Sequence, residues 1–447
     1  MSLLALGSDT PQRFASATLH RRPNRHHSHW KYIWANAKLH FLQMYALASF
    51  FADTSLRAEV YHDSQRTMTH SAVTGISCAA AVRIHGETGA SQHQVFEWLD
   101  QLGFDRYITH DSAHGAVSFA LAQSFCNDWI PNSDTTGLST TLALDTDNNP
   151  RDLEREIMVT MVAGPHAFAF PNVEEWMAAV RIRCNIVQAA RRTQLGFHTT
   201  ELERPTDYWA YNEDTGFTVL RGRSLIDALQ RATQPDTTCK LYSFSCHRAS
   251  EYVNLLAIAQ ELAHTDPLLL DSIQRRCEKQ AIRSGPFHDT FLYEYGSLDA
   301  PLPPGYCVPG DRMWFRNPDS HSSDVSGYEG SWVFYLGNGL FSNFWQRGKD
   351  YTLTSKCIEI YHWRHATVQD TDGELRIDES VVAPLTQQTL SDPYAVRDIV
   401  SKMAVLRDPA GVYASGGIID ASREFPRCVC PGTADMTLPD LPADLPQ

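Results

Sequence analysis

The chain has 447 residues, 43% of them hydrophobic and 20% charged, and its formal net charge at pH 7 is −14. This balance predicts a soluble globular protein of roughly two or three domains. No apolar run reaches the roughly 18 residues of a membrane span, and so acidic a chain lacks the net basic face that phosphate binding requires. The composition argues against a membrane protein and against general nucleic-acid binding.

The first residues and the cysteines indicate a compartment. The opening apolar run is too short, and lacks the basic start, for a cleaved signal peptide. The ten cysteines are scattered without the dense spacing of a disulfide scaffold. We expect them to be mostly reduced, in a protein that is cytoplasmic or exported without a cleaved signal peptide.

The region before residue 164 has helical periodicity and polar loops. Residues 1–29 are basic and rich in histidine and predict a flexible, solvated arm rather than a metal site. The pattern predicts helices over Trp30–Phe51, Gln92–Leu102 and Ala113–Phe125, and a polar loop over Thr135–Arg151. We therefore expect a mainly helical N-terminal domain over residues 30–163, whose role the sequence does not assign.

A proline-rich border at Pro165–Pro171 precedes a stretch with mixed helix and strand signals. Asn172, with Glu175 three residues later, predicts the start of a long helix. The next elements predicted are a hairpin with strands at 207–211 and 217–221, a short helix over Leu225–Arg231, and strands at 291–295, 311–316 and 332–336. This order indicates an α+β domain.

The most informative stretch begins at Ser245 and Cys246. Ser245 is a good N-cap for the long apolar helix that follows, which places Cys246 in the first helical turn. Unpaired amides and the positive end of the helix dipole favour a thiolate there and can contribute to an oxyanion hole. Cys246 is therefore a candidate nucleophile, although a buried structural thiol is the commoner role of a cysteine.

Several blocks in matching order resemble the small bacterial protein-glutamine γ-glutamyltransferases of the Bacillus spore type. The blocks are Trp176–Ala190, Thr206–Trp209, Ser243–Cys246, Gly310–Pro318 and Gly330–Gly337, with a second patch at Val396–Met403 and Gly416–Ala421. The resemblance covers residues of about 164–343 and 394–430, and Cys246 falls where that family keeps its nucleophile.

The resemblance implies a papain-like or NlpC/P60-like core, in which the nucleophile helix packs on an antiparallel sheet. It implies that a cysteine thiolate forms a thioester with a protein glutamine, and that a lysine amine or water resolves it. The products are then a cross-link or a deamidated glutamine. The expected partners are proteins bearing glutamine and lysine, with no cofactor, metal, nucleic acid or membrane, and the oligomeric state is left open.

The chain departs from the family around the partner of the thiol. The family has an acidic residue before the nucleophile, where this chain has Ser245, and a glutamate after a strand glycine, where Ser331 follows Gly330. Because side chains alternate along a strand, Glu329 shares a face with Ser331 and is a candidate to supply the carboxylate. The family histidine aligns with Asn343.

An insertion relative to the family, at about residues 345–390, offers a different base. Cys357–Val368 alternates like a strand, so His362 is a candidate replacement for the missing histidine if that strand pairs beside residues 332–336. His247 follows the nucleophile, but about 100° further round the helix it is expected to point elsewhere. The predicted catalytic set is Cys246, Glu329, His362 and Asn343.

These patterns predict a catalytic domain over residues 164–434 and a disordered acidic tail over 435–447. Two other functions remain open from the residues alone. One is a cysteine amidase or peptidase on the same core. The other is a binding protein on a decayed frame, which the residues at 245, 331 and 343 favour.

Overall fold

The computed structural model describes residues 82–85, 89–113, 115–197, 202–213, 216–282, 284–371, 373–408 and 417–438. All of them belong to one compact unit, residues 76–447. The arm predicted for 1–29, the helix predicted for 30–51 and most of the predicted acidic tail lie outside these ranges. No helix within them is both long and apolar enough to cross a bilayer.

The first described part contains a sheet, and one of its strands replaces the helix that was predicted over Ala113–Phe125. Its strands are β1 (Val82–His85), β2 (Ile108–Ala113), β3 (Ala116–Leu121) and β4 (Ala169–Phe170), in the order β2-β3-β1-β4. Helix α1 (Gly89–Leu102) confirms the helix predicted there, and Gly103 follows it with a φ of 74°. The helix predicted over Ala113–Phe125 is wrong, because β3 occupies most of that stretch. The described part of residues 30–163 still contains more helix than strand, as expected.

The sequence of β3 explains the error. Val117, Phe119 and Leu121 are buried and alternate with less buried residues, which is the period of a strand. Gly115, with a φ of 74°, lies in the connection from β2 to β3. A helix, α2 (Gln123–Trp129), begins only after β3.

The core continues across the predicted border at Pro165–Pro171. After α3 (Leu138–Thr141), which interrupts the predicted loop, come α4 (Pro150–Ala163) and α5 (Val173–Arg192). The Asn172 side chain accepts a hydrogen bond from the Glu175 N–H at 2.8 Å, which confirms the predicted helix start. Glu156 of α4 accepts from the Tyr335 hydroxyl at 3.2 Å, so α4 is tied to the sheet described below.

A helical layer surrounds the helix that begins at Cys246. The central helix is α7 (Cys246–Thr265), and the helices around it are α6 (Leu225–Thr233), α8 (Pro267–Lys279) and α9 (Ser284–Phe291). Short strand pairs accompany it: β5 (Gly196–Phe197) with β8 (Ser243–Phe244), and the predicted hairpin of β6 (Trp209–Asn212) with β7 (Gly216–Val219). Helix α7 packs along α5 and α6 and is buried over most of its length.

The main sheet lies against α7 and α5. Its strands are β9 (Leu292–Tyr295), β10 (Arg312–Arg316), β11 (Gly330–Gly337), β12 (Leu340–Phe341), β13 (Tyr351–Thr352) and β16 (Arg423–Pro426), in the order β13-β12-β11-β10-β16-β9. Every pairing is antiparallel, and Trp314 of β10 lies opposite Trp332 of β11. The predicted α+β arrangement is confirmed.

A fully buried ion pair joins this sheet to α5. Arg183 Nη1 lies 2.7 Å from Asp311 Oδ1, and neither side chain is exposed. Gly310, with a φ of 90°, allows the close approach, because a Cβ there would lie 2.9 Å from the Arg183 Cα. Helix α5 and the sheet are thereby held at a defined separation.

The predicted insertion is mostly helical, and the strand predicted over Cys357–Val368 is wrong. The segment contains α10 (Leu353–Trp363), the hairpin β14 (Thr367–Gln369) with β15 (Leu375–Ile377), and α11 (Glu379–Leu390), followed by α12 (Pro393–Met403). Thr352 and Ser355 form a capping box that starts α10. The buried residues Lys356, Cys357, Ile360 and Trp363 follow the helical period, which competes with the β-like alternation of the same residues.

Glu175 supports a test of the fold. Its buried carboxylate accepts from the Val429 and Cys430 N–H groups, at 3.0 and 2.8 Å. Glu175→Ala is expected to lower the free energy of unfolding by about 2 to 4 kcal/mol, because two buried N–H groups lose their acceptor at about 1–3 kcal/mol each. Urea denaturation measures the loss.

Glu174→Ala is the matched control, because Glu174 is exposed in the same helical turn. This variant is expected to change stability by no more than about 0.5 kcal/mol. Equal effects of the two variants would show that the carboxylate of Glu175 does not hold the C-terminal segment.

Candidate functional site

Cys246 is the first residue of α7, as predicted. The Ser245 hydroxyl accepts a hydrogen bond from the Arg248 N–H at 3.3 Å, which confirms the N-cap. Burial raises the pKa of the Cys246 thiol, while hydrogen bonds from the Trp332 and His247 main chains and the charge of Lys356 lower it. The net pKa is above the ordinary value, so the resting group is a thiol that a nearby base must deprotonate.

The Trp332 contact places Cys246 at an open edge of β11. Along a strand, alternate N–H groups point to the same side. The Phe334 N–H points toward β12 and donates to Ser342 Oγ at 2.9 Å. Two residues earlier, beyond the pairing of β11 with β12, the Trp332 N–H donates to the sulfur of Cys246 instead. The sulfur is therefore the hydrogen-bond acceptor for this edge of β11 at a position that β12 does not reach.

Glu329 immediately precedes β11 and is within electrostatic range of the thiol. Its charge is among the causes that raise the pKa of Cys246. Its Oε2 accepts from the Gly327 N–H at 3.0 Å, and burial raises the pKa of Glu329 itself. A carboxyl with a raised pKa and a thiol with a raised pKa are suited to exchange a proton.

Lys356 is a charged group near the thiol that the sequence analysis did not find. It lies on α10 with 1% of its surface exposed. The ammonium contacts Glu359 Oε1 at 2.8 Å and lies 4.1 Å from the centre of the Tyr351 ring. Its charge lowers the pKa of Cys246. The misassigned strand over 357–368 hid this residue, whereas the Thr352–Ser355 capping box was a signal for the helix.

Aromatic contacts link the loop that carries Glu329 to the insertion. The Tyr328 hydroxyl donates to Glu379 Oε1 at 2.8 Å, and its ring packs edge-on against Trp363 at 5.1 Å. On its other side Tyr328 contacts Phe197 at 5.7 Å. Helices α10 and α11 thus hold the segment from which the Glu329 carboxylate projects.

His362 does not lie on a strand beside β11. It lies on α10, and its Nε2 is 2.8 Å from Thr389 Oγ1 on α11. In the described part of the chain its buried Nδ1 has no hydrogen-bond partner. The strand on which its proposed role depended is absent, so the structure gives no geometric support for His362 as the base.

Asn343 stabilises a turn with both ends of its amide. Its Nδ2 donates to the Lys349 carbonyl at 2.9 Å, and its Oδ1 accepts from the Trp345 and Gln346 N–H groups at 3.0 and 3.2 Å. These contacts shape the connection from β12 to β13. The structure therefore places Asn343 in a loop that it orders, with its polar atoms already bonded.

His247 contacts the same strand residue as Cys246, although the sequence analysis expected it to point elsewhere. Its ring packs edge-on against Trp332 at 5.3 Å, and its Nε2 lies 3.1 Å from Glu251 Oε1. The spacing of His247 and Glu251, four residues apart on a helix, was the signal that was overlooked.

In the described ranges, the remaining cysteines and acidic groups form no metal centre. Eight cysteines in the described ranges are free, and Cys126 is disulfide-bonded. Among the described residues, no cluster of three or more histidine, cysteine or acidic side chains could hold a metal ion.

Comparison with known proteins identifies the family of the chain. The family model for protein-glutamine gamma-glutamyltransferase matches residues 132–415. The chain belongs to this family. The match begins upstream of the predicted border at residue 164 and includes α4.

One solved structure that resembles this transglutaminase-family chain is a transglutaminase from Geobacillus stearothermophilus, determined without its C-terminal extension. The two are 22% identical, with a TM-score of 0.34, over 48% of this chain and 98% of the other. No curated protein matches the chain in sequence.

The environment of Cys246 predicts the effect of removing the Lys356 charge. In Lys356→Met, the thiol loses a cation that lowers its pKa, so the pKa should rise. Alkylation by iodoacetamide near neutral pH is then expected to slow by up to about tenfold, the effect of about one pKa unit. The rate is measured as a function of pH with Cys246 identified by mass spectrometry.

Lys356→Arg is the control, because it keeps the charge and is expected to keep a rate close to that of the unmodified protein. At high pH, where every form is a thiolate, Lys356→Met should react as fast as the parent. A rate that is reduced equally at all pH values would instead indicate a loss of access to Cys246.

Proposed function

We propose that Cys246 is the nucleophile of a protein-glutamine γ-glutamyltransferase and that Glu329 is its proton acceptor. The observation that carries the proposal is the position of the thiol, at the first turn of α7 and on the Trp332 N–H at the strand edge. A papain-like relation of the core is part of the proposal. It is supported by a nucleophile helix packed against an antiparallel sheet.

The acylation step follows from these groups. The Cys246 thiol passes its proton to the Glu329 carboxylate, and the sulfur attacks the γ-carboxamide carbon of a protein glutamine. The main-chain N–H of Cys246, at the positive end of the α7 dipole, can stabilise the negative charge on the carbonyl oxygen. As the C–N bond breaks, the proton returns from Glu329 to the nitrogen, and ammonia leaves a thioester on Cys246.

A lysine amine of a second protein then resolves the thioester to an isopeptide bond, and the sulfur regains a proton. Water in place of the amine gives glutamate. Phe197, Trp345 and Tyr328 form an aromatic rim near this region. Phe197 is 39% exposed, contacts both other rings and pairs with Phe244, two residues before Cys246. Such a rim can bury the aliphatic stem of a lysine and exclude water, which favours the amine.

The first test compares two cysteines. Cys246→Ala should abolish incorporation of a fluorescent primary amine into casein together with ammonia release, because no other group in the proposal forms the thioester. Cys239→Ala is the control, since Cys239 is an exposed free thiol, and it should retain full activity. Ammonia release without amine incorporation would assign deamidation, and cleaved casein would assign a peptidase.

The second test moves the carboxylate. Glu329→Gln removes the proton acceptor and is expected to lower kcat/KM about 100-fold or more. In Glu329→Gln/Ser331→Glu a carboxylate returns two residues later on the same face of the strand, at the position that the family resemblance implies. Partial recovery of activity in the double variant is expected, and full activity of Glu329→Gln would exclude Glu329 as the base.

A further inference from the structure

We infer that His247, held by the buried carboxylate of Glu251, is the base that activates the amine in the second half of the reaction. This inference rests on the proposed function of Cys246. It adds a residue that acts on the acceptor substrate and that neither the resemblance nor the sequence pattern assigns.

The contact with Glu251 determines which ring nitrogen of His247 can accept a proton. Glu251 is 1% exposed. Although burial raises the pKa of Glu251, the nearby charge of Arg248 and the hydrogen bond with His247 lower it below the ordinary value. An ionised carboxylate only accepts hydrogen bonds, so Nε2 of His247 must carry the hydrogen in its 3.1 Å contact. In the neutral ring, Nδ1 is then the basic atom.

The orientation of the ring is set by a second contact. The imidazole packs edge-on against the Trp332 ring, with 5.3 Å between the centres and an angle of 87° between the planes. Trp332 is itself stacked on Trp314 at 5.8 Å, and the Arg312 guanidinium covers it at 3.7 Å. A ring held by a carboxylate at one edge and by packed aromatics at its side is oriented before substrate arrives.

His247 remains accessible in this position. Its side chain is 38% exposed, whereas that of Glu251 is 1% exposed. The substrate lysine can therefore reach the imidazole from solvent while the carboxylate stays protected. The residue combines a fixed orientation with an open approach.

The two bases lie on different faces of β11. Trp332 and Ser331 are neighbours on the strand, so their side chains point to opposite faces. His247 contacts the Trp332 ring, whereas Glu329 shares the alternation of Ser331. Cys246 accepts the Trp332 N–H at the strand edge between these faces. Glu329 serves the acylation step and His247 serves the aminolysis step.

The step balances as follows. Nδ1 of His247 removes one proton from the lysine ammonium, and the resulting amine forms a C–N bond with the thioester carbonyl carbon. The C–S bond breaks, and a second proton from the nitrogen goes to the departing sulfur, which regenerates the thiol. The imidazolium releases its proton to solvent.

Several other charged groups lie in the same part of the helix–sheet contact. On its own helix Arg248 contacts Glu251 at 2.5 Å. From the sheet, Arg312 donates to Ser250 Oγ at 2.8 Å and is paired with Glu424, which in turn contacts His288 at 3.2 Å. Among them, the carboxylate of Glu251 is the group in direct contact with the imidazole.

The test separates the two half-reactions. Cys246 is acylated with 4-nitrophenyl acetate, which needs no glutamine donor, and the rate of deacylation by a primary amine is measured as a function of pH. His247→Gln is expected to leave acylation unchanged and to slow aminolysis by about 100-fold, the low end of general-base effects. The rise of the rate with pH that accompanies loss of the imidazole proton should disappear.

Three further variants test the role of His247. His264→Gln is the matched control, because His264 is an exposed histidine in the last turn of the same helix, and it should behave as the unmodified protein. Glu251→Gln removes the carboxylate that holds Nε2–H of His247, so aminolysis should slow while acylation is unchanged. Added imidazole should restore part of the aminolysis rate in His247→Ala.

The outcomes distinguish this inference from the proposed function. An unchanged aminolysis rate in His247→Gln overturns the role of His247 alone. A parallel fall of acylation and aminolysis also overturns it, because His247 would then support Cys246 rather than the amine. Failure of Cys246 to become acylated in the unmodified protein overturns the proposed function and this inference with it.

Discussion

The ion pair between Arg183 and Asp311 determines how the helical layer meets the sheet. The two charges are fully buried and 2.7 Å apart, and Asp311 also accepts from the Tyr295 hydroxyl at 2.6 Å and the Val308 N–H at 2.8 Å. Removing one partner of such a pair costs about 3–5 kcal/mol. Arg183 lies on the helix that packs along α7, and Asp311 precedes the strand that pairs with β11. The distance from Cys246 to Trp332 therefore depends on this contact.

Opposing effects act on the pKa of the Cys246 thiol. Burial and the charge of Glu329 raise the pKa of Cys246, and two main-chain hydrogen bonds and Lys356 lower it. The balance leaves the group a thiol in the resting protein, as the proposed acylation step requires. A family member without an acidic residue at 245 or 331 can retain this balance, because the insertion supplies a cation and the residue before β11 supplies an anion.

Local signals were reliable where one pattern dominated, and they failed where two patterns coincided. Three predictions were correct because each depends on residues close in sequence: the N-caps at Asn172 and Ser245, and the hairpin of β6 with β7. Residues 357–363 satisfy both a two-residue and a helical period, and the capping box at Thr352 selects the helix. The prediction of a helix over Ala113–Phe125 was wrong because the two-residue alternation of β3 was overlooked.

By itself the sequence determined that a cysteine begins a long apolar helix in an α+β protein, since capping and periodicity act over a few residues. Only the tertiary structure decided which side chains surround that cysteine. The charges of Glu329 and Lys356 act on it from later in the chain. His247 contacts Trp332, whose strand was predicted but whose packing against this helix no local pattern determines. Such contacts depend on how the helix and sheet pack, and packing joins residues without a fixed spacing in sequence.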